Sequence, residues 1–79
     1  MLLNIYSLQK PVLRKEVTAI TMKTTNGEIT ILDNHRPLIT PLAEGLIRIK
    51  TSEGTEEIEN SGGFVEVRPK GQVNILVEN

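Results

Sequence analysis

Cysteine and tryptophan are absent from this chain, and histidine, tyrosine and phenylalanine occur once each. Without cysteine no disulfide and no thiolate metal site can form. His35 alone builds no imidazole cluster, so no metal or cofactor is expected. With Tyr6 and Phe64 as the only aromatics, a core has to come from Ile, Leu and Val. Charge of one sign is missing too: nine Lys and Arg against ten Asp and Glu leave a net charge of −1, with both signs interspersed. Binding nucleic acid needs a basic face, and single strands add aromatic stacking, so nucleic acid is excluded as a main partner. No apolar run approaches the roughly 18 residues of a membrane helix. The start, MLLNIYSLQK, lacks the leading basic region and small-residue cleavage site of a signal peptide. These absences predict a soluble, intracellular protein. At 79 residues it makes one domain, 1–79, that buries only about 60% of its unfolded surface and is marginal unless well packed or docked on a partner.

What is present is a β pattern punctuated by turns. Leu2 to Ser7 reads as a strand with Leu3 and Ile5 on one face and Asn4 and Tyr6 on the other. Gln9-Lys10-Pro11 interrupts it. Val12 to Thr24 is extended but changes phase: Val17 and Ala19 share one alternation, Ile20 and Met22 the other. That shift predicts a bulge or a strand crossing between sheets. Asn26-Gly27 signals a hairpin with a type I′ turn. Glu28 to Leu32 returns with Ile29 and Ile31 inward. Pro37 and Pro41 bracket Leu38-Ile39-Thr40, which is therefore an edge strand or a loop. Leu46 to Lys50 puts Ile47 and Ile49 inward, and Ser52-Glu53-Gly54 turns the chain. Thr55 to Asn60 is acidic and carries only Ile58 inward. Ser61-Gly62-Gly63 is a bend or bulge. Phe64 to Arg68 points Val65 and Val67 inward, Pro69-Lys70-Gly71 turns again, and Val73, Ile75 and Val77 close the core. Short strands with turns every 8–12 residues are the mark of an all-β sandwich or barrel.

No catalytic constellation emerges. His35 lacks a nucleophile or a second ligand, and Asp33 is too near in sequence to orient it as a triad carboxylate. A working acid–base pair of carboxylates needs a cleft, and a domain this small, with Glu28 and Asp33 both outward, offers little of one. The two suit a solvated surface or an electrostatic contact. Gly62-Gly63 precedes no G-K-[ST] and no helix, so it is no phosphate loop. Outward Phe64 is either tucked under a loop or part of an interface. Glu53, Glu56, Glu57 and Glu59 suit an edge that resists strand pairing.

The ordered motifs carry a resemblance. Gly27, Glu28, Ile31, His35, Pro37, Leu38 and Thr40 fit a G-E-x-G-I-x-P-x-H-x-P-L-x-T element. Gly45 and Ile49 fit Gly-x-x-x-Ile. Ser61, Gly62, Gly63, Phe64, Glu66 and Val67 fit S-G-G-F-x-E-V, and Val73, Ile75 and Leu76 fit V-x-I-L. In these the chain resembles, along essentially its whole length, the epsilon subunit of F-type ATP synthases, called delta in mitochondria. It departs at Thr30, where the element has glycine, at Asp33 and Asn34, where it has proline and glycine, and at Arg36, where a small residue is usual.

The resemblance implies a small ten-stranded β-sandwich or flattened barrel without the family's C-terminal helical hairpin. The chain ends at Asn79, just past the last strand, so it is either a truncated or a natural short form; Met1 at a native-looking start and no visible tag favour the short form. ATP binding and helix-mediated inhibition, which belong to that hairpin, are not carried over. The implied role is a non-catalytic rotor subunit of the central stalk, docking the gamma subunit onto the polar loops of the c-ring and coupling ion flow to ATP synthesis. It would be a peripheral membrane protein of the F1 sector on the cytoplasmic face of a bacterial inner membrane, held there only through the complex. By motif position, Glu28, Leu32, Asp33, Asn34 and His35 face the c-ring, and His35, Pro37 and Thr40 face gamma. The competing readings are a free-standing β-sandwich adaptor or ligand-binding module, which requires an apolar pocket, and a small enzyme.

Overall fold

In the computed structural model, residues 1–9 and 13–78 are described; the expected interruption at Lys10-Pro11 and start at Val12 lie outside them. The described residues form nine strands and no helix: β1 (Leu2–Ser7), β2 (Leu13–Glu16), β3 (Ala19–Thr24), β4 (Gly27–Leu32), β5 (Leu38–Leu42), β6 (Gly45–Thr51), β7 (Gly54–Asn60), β8 (Gly63–Arg68) and β9 (Gln72–Val77). The all-β expectation holds, with nine strands described against the ten that the resemblance implies.

The strands follow one continuous path, β2-β1-β9-β8-β5-β3-β6-β7, with β4 on the far side of β3. All ladders are antiparallel except β1–β9. The path folds over where β5 meets β3 in a single bridge, Thr24 to Leu42. One layer is then β2-β1-β9-β8-β5 and the other β4-β3-β6-β7. Between them lies a core of buried aliphatic side chains, including Leu3, Ile20, Met22, Ile31, Ile47, Ile49, Val65, Val73 and Ile75. On the opposite side the edge strands β2 and β7 are tied by Lys15, whose Nζ meets both carboxylate oxygens of Glu56 at 2.8 and 2.7 Å.

The phase change after Val17 is the crossing between layers. Val17 N–H donates to Met1 C=O in one layer, and the next amide, Thr18, donates to Lys50 C=O in the other, both at 2.8 Å. Val17 and Ile20, on opposite alternation phases, are thus both buried.

The hairpin at Asn26-Gly27 forms, but not as a type I′ turn. Thr24 pairs with Gly27, Asn26 does not take positive φ, and only Gly27 does, at +117°. The Thr24 hydroxyl decides this: it accepts from Asn26 N–H at 3.1 Å and donates to Gly27 C=O at 2.8 Å. Side-chain bonding of this kind offers the backbone a different turn. The shift preserves the side-chain parity of the strands, so Ile31 is still buried and Ile29 still packs on the core.

Two polar residues are less exposed than the pattern predicts. Asn4 is only 5% exposed, and its amide donates to Asn74 Oδ1 at 3.2 Å. Asn60 is 4% exposed, so Ile58 is not the only inward side chain of β7. Its Nδ2 donates to Gly45 C=O at 2.8 Å, and its Oδ1 accepts from Gly62 N–H at 3.0 Å. It splints the entry to β8. There Gly63 has φ +148°, and a Cβ would stand 1.8 Å from Leu76 O, so only glycine fits.

Candidate functional site

The segment joining β4 to β5 is the most polar turn between the two layers, and its shape follows from Asn34. His35 N–H donates to Leu32 C=O at 3.2 Å, closing a four-residue turn. Asn34, its third residue, has φ +67°. A turn with positive φ only at that position accepts glycine or asparagine, which explains Asn34 here. His35 Nδ1 donates to the Arg36 carbonyl at 2.7 Å. The imidazole is thus committed locally, as a turn histidine.

Asp33 is held from the other layer. The Met1 ammonium donates to Asp33 Oδ1 at 3.2 Å and to Val17 C=O at 2.9 Å, and lies 3.3 Å from Glu16 Oε2. Burial lowers the pKa of this amine, but hydrogen bonds and charge from Asp33 and Glu16 outweigh that and leave it raised.

The expected contact residues do not form one cluster. Leu32, Asp33 and Asn34 are exposed at the turn and His35 is half-buried. Glu28 is exposed at the other end of β4, paired across the hairpin with Lys23; it stands a strand length, about 15 Å, from the turn. Pro37 is exposed at the start of β5, whereas Thr40 is 9% exposed and turns inward.

Sequence reasoning placed Phe64 outward but did not see what surrounds it. Register aligns Tyr6, Leu76, Phe64 and Pro41 across β1, β9, β8 and β5. Ile39 stands in the next row, opposite Glu66. Tyr6 is 41%, Leu76 52%, Phe64 54% and Ile39 70% exposed, so this outer face carries an apolar band. Beside it Asn74 Nδ2 donates to Glu66 Oε1 at 3.2 Å, extending the Asn4–Asn74 bond into a polar row. The outer face of the other layer is more polar, with Thr21 hydrogen-bonded to Thr30 at 3.0 Å and Arg48 to Glu57 at 3.2 Å, and with Leu32 and Leu46 as its exposed large apolar side chains. The band was hidden because it depends on pairings between strands, the parallel β1–β9 one that brings in Tyr6 among them, which alternation within one strand does not reveal.

Among the described residues no group of three or more His, Cys, Asp or Glu could hold a metal ion. A polar turn and an apolar sheet face on one domain can together serve a protein contact: the face would supply desolvation and the turn register.

Residues 1–79 match the model of the ATP synthase delta/epsilon chain β-sandwich domain. The ATP synthase epsilon chain of Bacillus pumilus is 43% identical over 75 residues, 95% of this chain and 56% of that protein. The epsilon chain of Alkalihalophilus pseudofirmus is 46% identical over 63 residues, 80% of this chain and 47% of that one. The chain thus spans about half the length of these curated relatives. A cryo-EM structure of the Euglena gracilis mitochondrial ATP synthase, comprising OSCP, F1 and c-ring, contains a chain matching 98% of this one at TM-score 0.89 and 30% identity, over 49% of its own length. The central stalk and c-ring structure of the Tetrahymena thermophila enzyme matches 99% of this chain and 63% of its own at TM-score 0.84; at 18% identity that likeness speaks for the fold alone.

Proposed function

The chain belongs to the ATP synthase delta/epsilon β-sandwich family, and on that premise we propose that it is a non-catalytic subunit at the foot of the central stalk of an F-type ATP synthase. It docks the gamma subunit onto the c-ring and passes rotation between them. The observation that carries this is the match of the family model to the whole chain, supported by an apolar band and a polar turn on a domain without a catalytic constellation among its described residues.

In this reading Glu28 and the Leu32–His35 turn meet the polar loops of the c-ring, and the His35–Thr40 segment lies against gamma. Thr40 is inward, so its strand makes the contact there, with Pro37 and Ile39 presented outward. The exposed carboxylates Glu28 and Asp33 complement basic c-ring loops. Exposed pairs of this kind contribute about 0–1 kcal/mol each and set register more than affinity. The protein is a peripheral component of the F1 sector, at the cytoplasmic face of a bacterial membrane.

Cysteine trapping in the assembled complex tests the reading. Glu28→Cys is expected to cross-link to cysteines in the c-ring loops, and Pro37→Cys to gamma. An assembled complex in which neither forms a cross-link sinks the assignment.

A further inference from the structure

One stretch of β5 carries unused backbone hydrogen-bonding groups. β5 pairs with β8 along its full length but with β3 only at Leu42. Which way each residue faces follows from the bonds beyond the ladder. Pro41 C=O accepts from Thr25 N–H at 3.4 Å, and Ala43 N–H donates to Lys23 C=O at 2.9 Å, so both point toward β3. On β8, Gly62 C=O accepts from Glu78 N–H at 3.0 Å, so even-numbered residues there face β9 and odd-numbered ones face β5. In an antiparallel ladder bonded and non-bonded pairs alternate. Leu38–Val67 and Thr40–Val65 are then the bonded pairs, and Ile39–Glu66 exchanges no backbone bond. Ile39 N–H and C=O point away from β8 into the space beyond the end of β3, and among the described residues they have no backbone partner. Pro37 C=O points the same way by alternation.

This gap coincides with side-chain features that suit an incoming strand. Ile39 is 70% exposed. Beside this edge, over the β5–β8 ladder, Pro37, Leu38, Ile39, Glu66, Arg68 and Pro69 line a shallow depression. Pro37 and Pro41 limit the free edge to a short window, which guards it from indiscriminate pairing.

We propose that the Pro37–Thr40 edge of β5 takes up an extended segment of the gamma subunit by strand addition. Ile39 exchanges two backbone hydrogen bonds with one residue of that segment, and an apolar side chain next to it fills the depression at Pro37 and Pro69. Main-chain bonding to a sheet edge with side-chain pockets beside it is a general mode of peptide capture. The proposal rests on the assignment of gamma as partner and adds how it is held.

The test uses the whole chain made by chemical synthesis with Ile39 N-methylated. The methyl group removes one donor and blocks the edge but leaves every side chain in place. Its melting temperature is expected to equal that of the unmodified chain, because the amide is unused within the domain. Its Kd for purified gamma is expected to rise at least tenfold. Amide exchange at Ile39 is expected to be fast in the free chain and slow in the complex. Equal affinity of the methylated chain, a lowered melting temperature, or slow Ile39 exchange before gamma is added would each overturn strand addition. If instead the unmodified chain does not bind gamma, the functional assignment itself fails, and strand addition with it.

Discussion

Thr24 and Thr51 hold the same position in two hairpins of one layer. Each hydroxyl accepts from the amide two residues on and donates to a glycine carbonyl three residues on: Asn26 and Gly27 at 3.1 and 2.8 Å, Glu53 and Gly54 at 3.1 and 3.2 Å. The glycines take positive φ, +117° and +138°. T-T-N-G and T-S-E-G are therefore one turn written twice. Replacing Thr51 with Val keeps the side-chain shape and removes both bonds. The expected cost is about 1 kcal/mol, read as a shift in the urea midpoint with an unchanged slope.

Gly63 is the position least open to change. A methyl group there meets the Leu76 carbonyl oxygen at 1.8 Å, which only backbone movement relieves. Gly63→Ala is expected to cost about 2–4 kcal/mol, a large share of the stability of a domain this small. Circular dichroism melts check it. A melting temperature equal to that of the parent would mean that β8 enters the sheet differently.

Truncation of the fully buried Val65 tests the core. Val65→Ala removes buried methyl groups between the layers and is expected to cost about 2 kcal/mol. Thermal denaturation measures this directly.

The Met1 ammonium gives stability an alkaline limb. Its folded-state pKa is raised by Asp33 and Glu16 against the opposing effect of burial. The folded chain therefore holds this proton more tightly than the unfolded chain does. The stabilisation is complete below the unfolded-state pKa and is lost as pH rises through the folded one. The amine is near the surface, so the effect is small. Melting temperature should fall as pH rises past about 8, the ordinary range of an α-amine, and Asp33→Asn should flatten that fall.

Glu28→Lys separates docking from folding. It sets a second lysine directly opposite Lys23 in the hairpin register, and like charges so placed cost under about 1 kcal/mol. The variant should melt close to the parent yet weaken attachment of the stalk to the c-ring, read as ion pumping lost relative to ATP hydrolysis in the reconstituted complex.

Most of the fold was legible because inward positions in this chain are nearly all Ile, Leu or Val at a period of two. Ile47, Ile49, Val65, Val67, Val73, Ile75 and Val77 are buried as the alternation requires. The interruption at Val17 marks a crossing because one phase ends where the other begins. What stayed hidden depends on partners distant in sequence. Asn4 is covered through a parallel ladder to β9. Asn60 reads as the end of an acidic edge, and only its amide, bridging Gly45 and Gly62, explains its burial. The turn type at Asn26-Gly27 was not legible because the dipeptide signal ignores the threonine ahead of it. At the candidate site, the polar turn was visible as a run of charges around Asn34 and His35. The apolar band was not, because Tyr6, Leu76, Phe64 and Ile39 each look like a single outward residue in their own strand.

The central claim is that this sandwich docks on a gamma subunit, and size-exclusion chromatography of the two purified chains from one source tests it most directly. The expected result is a one-to-one complex that elutes ahead of either component, with no ATP hydrolysis by this chain alone. A chain that is folded by circular dichroism and still elutes alone beside gamma would contradict the account.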